Sequence, residues 1–353
     1  MSTAGLNPAA SAASSAPIER SEGVWHAAWR RFKADRVGLV SAIIVLAFLL
    51  LVLLASLGLV AKNWQAEVGV ANAPPTFIGP KPAEATGAIE VPKGPNVDLS
   101  AVDPLAPRYA EIEEAAKKYR TTDSVKAETL PLGGDRLGRD VLDKAVKGTQ
   151  ISVFVGVLAA VLATLIGTVL GALAGFFGGK VGDFLEWLYN VFEAIPSILL
   201  IFAFAAVFGR GIGTVVLILG LAGWTGLYRQ VRAEFMKHGG REYVRAAEAI
   251  GASAWSRMFK HILPNTLAPV IVQATFLCAS AMIAEATLSF IGAGTPPIIP
   301  SWGNIMAEGR ALWQVKPYIV FFPAVFLSIT VLSVNLLGDG LRDALDPRMA
   351  KRI

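Results

Sequence analysis

The chain has 353 residues, of which 54% are hydrophobic and only 17% charged. Soluble domains carry about a quarter charged residues, and here the apolar surplus is gathered into long uncharged runs, which excludes an ordinary soluble core and indicates a membrane protein. The formal net charge of +5 raises nucleic acid as a partner, but the cations cluster beside the apolar runs, as cytoplasmic segments do, so no nucleic acid is expected. The one cysteine, Cys278, lies within an apolar run and excludes an internal disulfide or a cysteine-based metal site.

Residues 1–24 are rich in Ala and Ser and read as a disordered tail. A secretory signal does not fit, because the apolar segment begins late and runs long. Val37 to Val60 carries no charge and is long enough to cross a bilayer as a helix; Arg30, Arg31, Lys33 and Arg36 before it hold the N-terminus in the cytoplasm. The stretch 61–150 is polar, Pro-rich in its first half and mixed in charge, as expected of an external loop. Within it, Pro107 to Arg120 has the spacing of a short amphipathic helix. Gly133, Gly134 and Gly138 with Asp135 and Asp140 form a turn signal, and a Ca²⁺ loop is disfavoured because the spacing is wrong.

Ile151 to Phe177 is the second expected span, with Gly167, Gly171 and Gly175 forming a stripe that admits close approach of another helix. A tight turn over Gly178 to Asp183 leads to a third span, Phe184 to Phe208, interrupted by Pro196. Ile212 to Tyr228 crosses back, Thr266 to Ile291 is the fifth span, and Tyr318 to Gly338 the sixth. The segment between Arg229 and Pro264 is strongly basic, and Arg342, Arg348, Lys351 and Arg352 follow the last span. Six spans with both termini inside satisfy this charge pattern, whereas five or seven place a basic segment on the wrong side. The fold class is therefore an all-α integral membrane protein with about six transmembrane helices and a long external loop between the first two.

The segment Arg241 to Pro264, REYVRAAEAIGASAWSRMFKHILP, carries the most information. Helical periodicity puts Tyr243, Val244, Ala247 and Ile250 on one face and Arg241, Arg245 and Glu248 on another. Gly251 interrupts, Ser253 can cap a second helix whose apolar face is Met258, Phe259, Ile262 and Leu263, and Pro264 ends it. Periodicity alone leaves two readings equal: a docking element, or a pair of helices in the lipid interface.

This stretch resembles the cytoplasmic EAA loop of importer permeases of the ATP-binding-cassette superfamily, with Ala246, Ala247, Gly251, Ile262, Leu263 and Pro264 in the matching positions; Arg245 stands where that motif has Glu. Leu130 to Gly148 (LPLGGDRLGRDVLDKAVKG), Ala174 to Asp183, Ala284 to Gly309 and Asn335 to Arg348 are similar to the second permease of dipeptide, oligopeptide and nickel importers. The resemblance covers residues 25–60 and 130–353. It implies a permease subunit that moves peptides or similar small solutes across the bacterial inner membrane. It also implies a second permease beside this chain, two cytoplasmic ATPase subunits docked on the loop, and an external solute-binding protein. The implied organisation is a tail over 1–24, a first span with its N-terminal segment over 25–60, an external loop over 61–150, a five-helix core over 151–338 with its coupling loop over 229–264, and a tail over 339–353.

No cofactor is expected in this chain, and ATP belongs to the partner subunits: Lys180 follows Gly178 and Gly179, but the spacing is not that of a phosphate loop. The histidines His26, His238 and His261 form no site. Glu193 and Glu285 are acids within the spans; such groups face a cavity or a partner, and both are candidates for the translocation path, with hydrogen bonding to a neighbouring helix as the alternative. Two other classes compete. An ion-driven secondary carrier can use these acids but has no need of the docking loop, and a membrane-embedded enzyme needs a catalytic pair that the spans lack.

Overall fold

In the computed structural model, residues 24–80, 104–105, 108–117 and 126–346 are described. Expectations that fall on 1–23, on the rest of 81–125 and on 347–353 lie outside them. The described residues are mainly helical, and their β pairing is a set of isolated bridges, three joining 67–75 to 127–139 and one between Gly134 and Asp140. Among the described residues, five helices are long and apolar enough to cross a membrane, and a bent helix pair makes a sixth span if it crosses as one.

Helix α1 (Val24–Ala34) leads into the first span, α2 (Arg36–Ser56). The break falls at Asp35, whose carboxylate accepts from the amides of Val37 and Gly38 at 3.0 Å and so caps α2. Span α2 stops at Ser56 rather than Val60, with Gly58 at φ +69° just beyond. Helix α3 (Tyr109–Lys117) occupies the expected amphipathic stretch.

The second span, α4 (Val141–Phe177), begins at Val141, not at Ile151. Asp140 caps it by accepting from Leu142 N at 2.8 Å, so the polar first turns of the helix extend past the apolar run. The turn expected over Gly178 to Asp183 is much shorter. Gly178 at φ +57° suffices, and α5 (Gly179–Glu193) starts at once. The third span is broken, not merely interrupted: α5 and α6 (Ser197–Phe208) meet at 89° across Ala194 to Pro196. Proline lacks the N–H needed to continue the helix and restricts the residue before it, which accounts for a break at this point.

Span α7 (Ile212–Gly239) is the main partner of α4. The glycine stripe makes this contact possible. A Cβ at Gly167, Gly171 or Gly175 would sit 2.8, 2.7 or 2.6 Å from the carbonyl oxygens of Trp224, Tyr228 and Arg232, one turn apart on α7. At Gly226, by contrast, the described residues leave the space around a Cβ open. Gly171→Ala is therefore expected to lower the thermal midpoint of the purified protein in detergent, since overpacking costs about 1–3 kcal/mol. Gly226→Ala is expected to leave it unchanged or raise it, because alanine is the better helix former.

Helix α8 (Glu242–Ala249) follows α7, and after a turn the short α9 (Ala254–Ser256) and a π-helical segment (Arg257–Ile262) run without interruption into α10 (Leu263–Phe290). Pro264 does not end this helix. It sits in the first turn of α10, directly after the π segment. After α11 (Trp302–Gly309), the last span α12 (Tyr318–Leu345) continues past Gly338 into the polar residues that sequence placed in a tail.

The bundle has two distinct ends. At one, residues 66–80 and 126–140 interleave into a cap fastened to α12, where Tyr318 OH donates to the carbonyls of Asn72 and Ala73, both at 3.0 Å. At the other lie α8, the π segment, α1 and the end of α12. The described termini thus share the end that carries the Arg241 to Pro264 element.

Candidate functional site

The α8 element is a helix, a glycine turn and a second helix, all seated on the last turns of α4 and α7. Gly251 N donates to Glu248 O and Ala252 N to Ala247 O, both at 2.9 Å, the bond pattern of a Schellman stop. It requires a left-handed residue, and Gly251 has φ +84°. Ser253 then caps the next helix, accepting from Ser256 N at 3.3 Å.

Val244, Met258 and Ile262 are buried against Phe235, Val231 and Leu227 of α7 and Ala172 of α4, and Ala247 is buried as well. The two helices are tied together by Arg257, whose guanidinium is 2.6 Å from Glu248 Oε1 and lies over the ring of Phe176 on α4. Sequence reasoning missed this pair; its signal is an acid and a base flanking the glycine turn. The expected faces need correction. Ile250 is 86% exposed and Tyr243 also faces out, while Phe259 lies opposite Met258 rather than beside it. Met258 and Ile262, four residues apart, point inward, and Phe259 does not. Trp255 stacks on Phe259 at 5.5 Å with an interplanar angle of 7°.

The outward surface of the element therefore includes Arg245, Ala246, Gly251 and an apolar group of Ile250, Trp255 and Phe259, among exposed charged residues such as Arg241, Glu242 and Lys260. Of the other motif residues, Ala247 and Ile262 are buried, Leu263 is half-buried and Pro264 is exposed. An exposed apolar group of this kind marks a surface that meets another protein or a membrane.

Glu285 is elsewhere and has a different character. It is fully buried between α10, α4 and α11. Ser152 Oγ donates to Glu285 Oε2 at 2.8 Å and itself accepts from Trp302 N at 3.1 Å. Ser289 Oγ donates to Glu285 Oε1 at 2.7 Å. The network continues through Thr295 to Asn304, whose amide donates to the carbonyls of Pro296 and Ile299 at 3.0 and 2.9 Å. Trp302, also fully buried, donates from Nε1 to Ala145 O at 3.1 Å. Glu285 thus pins α11 and the loop before it to the spans. Replacing it by alanine strands two buried hydroxyls and opens a cavity, and is expected to cost about 3 kcal/mol. Glu285→Gln, which keeps an acceptor and adds a donor, is expected to cost less than half of that in thermal unfolding in detergent.

Glu193 ends α5 and is exposed, far from Glu285 in the fold. The two acids are not brought together. Between α4, α6, α7 and α10 lies a cavity of about 130 Å³ lined by Ala159, Ala163, Ser197, Gly223, Ser280 and Ala284. It contains the small neighbours of Glu285 but not the acid itself.

The sequence profile of the binding-protein-dependent transport system inner membrane component matches residues 167–351. That of the N-terminal transmembrane domain of oligopeptide transport permease C matches 23–75. The chain belongs to the binding-protein-dependent transport permease family. It is similar to the dipeptide transport system permease protein DppC of Lactococcus lactis, 30% identical over 92% of this chain and 90% of that protein. The oligopeptide transport system permease protein OppC of Bacillus subtilis is 32% identical over 66% of this chain and 78% of the relative. The probable peptide ABC transporter permease y4tQ of Sinorhizobium fredii is 42% identical over 62% and 75%. As a member of this family the chain is a multi-pass inner-membrane permease subunit of an ABC transporter, and is not itself the catalytic component.

Proposed function

We infer that this permease is one membrane half of an ATP-driven importer of di- or oligopeptides. The observation that carries the reading is the α8 element: a glycine-hinged helix pair, buried on one side against α4 and α7 and offering Ile250, Trp255 and Phe259 on the other. In this scheme two ATPase subunits dock on that surface, one on this chain and one on a second permease. Nucleotide stays in those subunits. The element is welded to the ends of α4 and α7 by Met258, Ile262 and the Arg257–Glu248 pair, so motion imposed on it is passed to the spans without slack. The solute-binding protein meets the cap end. The spans rock between two openings, as alternating access requires.

Peptide as the solute is supported by the names of the relatives, dipeptide and oligopeptide permeases among them. The small-residue cavity between α4, α6, α7 and α10 presents no charged side chain among the described residues, which suits a path for solutes with varied side chains. Of the two acids, exposed Glu193 at the α5–α6 break remains available to the path, while Glu285 serves to hold α11. The reading is tested by purifying the chain from its native membrane in mild detergent. A second permease and ATPase subunits are expected with it, and peptide uptake by the reconstituted complex should require ATP. Uptake by this chain alone, without ATP, would show a secondary carrier instead.

A further inference from the structure

At the cap end a cleft opens between the turn over residues 74–80 and the first turns of α12. Its volume is about 520 Å³, and Pro74, Phe77, Ile78, Val315, Phe321 and Phe322 line it. The turn is closed by Ile78 N donating to Pro75 O at 2.9 Å and Gly79 N to Thr76 O at 3.2 Å. It overhangs the spanning helix, with the ring of Phe77 edge-on to that of Phe322 at 6.3 Å. Polar groups on the wall are turned onto backbone carbonyls: Lys316 Nζ donates to Asn72 O at 3.1 Å, and Tyr318 OH to Asn72 O and Ala73 O. Among the described residues no acid lines the cleft. Phe77, Ile78, Val315 and Phe321 are each more than half exposed around it, a gathering of large apolar side chains that calls for an apolar occupant.

We propose that this cleft holds the upper part of an acyl chain of a phospholipid from the leaflet at the cap end, the rest of the chain lying along α12. Two observations choose that occupant. The first is depth. Phe321 and Phe322 lie one turn inside a spanning helix, while the opposite wall belongs to the cap, so the cleft straddles the boundary of the bilayer. The second is length. Exposed Ile329 and Leu332 continue from Phe321 down the same side of α12. From Phe321 to Leu332 the helix rises about 17 Å, close to the ~15 Å depth of one leaflet's hydrocarbon. A peptide solute fits the wall less well, because its amide groups would be desolvated against apolar side chains. A chain held here fills the space under Phe77 and fastens the cap turn to the last span.

The test uses the protein purified from its membrane with the subunits that accompany it. It is placed in vesicles of phosphatidylglycerol and phosphatidylethanolamine, part of the latter carrying a photoactivatable diazirine near the glycerol end of one acyl chain. After irradiation, adducts are located by mass spectrometry. A chain packed in a cleft gains dispersion contacts that fluid lipid lacks, so adducts on 74–80 and 315–322 are expected at least about threefold above those on the exposed face of α2. Val315→Trp, which fills the cleft from its rim, is expected to remove that excess and leave the α2 adducts unchanged. Val181→Trp, an exposed position on α5, is expected to change neither. Equal adducts on the cleft and α2, or an excess that survives Val315→Trp, overturns the proposal. A second readout asks whether protein fills the cleft instead. In a Cys278→Ala background, a cysteine introduced by Phe77→Cys is expected to give no cross-link to another subunit with a short bifunctional reagent. A cross-link to a second permease or a solute-binding protein would assign the cleft to that partner and overturn the lipid.

Discussion

Gly251→Glu abolishes solute uptake by an importer whose membrane half still assembles. The glycine has φ +84° and stands where the two helices of the α8 element meet, so any ordinary side chain there adds about 1–2 kcal/mol of backbone strain. That strain is the smaller effect. The added carboxylate also projects from the outward surface beside Ile250, since the described residues leave the space around a Cβ at Gly251 empty. An unpaired charge buried in a protein interface costs about 2–5 kcal/mol, so uptake in vesicles is expected to fall at least about a hundredfold, with ATPase subunits lost from the purified complex. Gly251→Asn separates the two effects. Asparagine tolerates the left-handed region and brings no charge, and this variant is expected to retain most of the activity.

Lys144→Met unfolds the cap end without touching the α8 element. Lys144 is 1% exposed, with its ammonium 2.7 Å from Asp135 Oδ2 and 2.5 Å from Glu308 Oε2. Arg139 Nε reaches the same Asp135 oxygen at 2.7 Å, and the amides of Leu137 and Arg139 donate to Oδ1. Burial pushes the Asp135 pKa up, but the hydrogen bond and charge of Lys144, with the two amides, outweigh it and hold the carboxyl below its usual value. Removing the ammonium leaves a buried carboxylate short of its main partner, at an expected cost of about 3–5 kcal/mol in denaturation experiments. In the native protein this contribution is present above the unfolded-state pKa of about 3.9 and is lost only as pH falls through the lower folded-state value. Without Lys144 the carboxyl is held down less strongly, by the amides and Arg139 alone, so falling pH narrows the gap between the two proteins. Adding Asp135→Asn to Lys144→Met is expected to recover part of the loss at neutral pH.

What the sequence made legible was the one-dimensional pattern. Apolar runs located the five helices long enough to span and the bent pair α5–α6, and the glycine stripe of α4 announced a close helix contact that the structure assigns to α7. The Gly251 turn and the Ser253 cap were equally plain, because each rests on local backbone chemistry. Helix ends were less so: α4 reaches back to Val141 and α12 runs on to Leu345, because polar first and last turns are stabilised by partners distant in sequence, such as Glu308 for Lys144 and Arg31 for the carbonyl of Ala344. Of the second helix's expected apolar face, Met258 and Ile262 are buried and Phe259 is not, because an apolar residue at the edge of a helical stripe can as well stack outside on a neighbour, here Trp255. The Glu285 network was illegible for a related reason. Ser152 lies 133 residues from Glu285 and 150 from Trp302, and a lone intramembrane acid announces only that it needs partners, not whether they are a solute or neighbouring helices.

The central claim is that the outward surface of the α8 element is covered by an ATPase subunit. It is tested most directly by Ile250→Cys in a Cys278→Ala background, since Ile250 is 86% exposed in the chain by itself. In the intact importer purified from its membrane, this cysteine is expected to resist a water-soluble maleimide and to form a cross-link to an ATPase subunit through a short bifunctional reagent. Free labelling in the intact complex, with no cross-link to an ATPase, would contradict the claim and assign this surface to water or lipid.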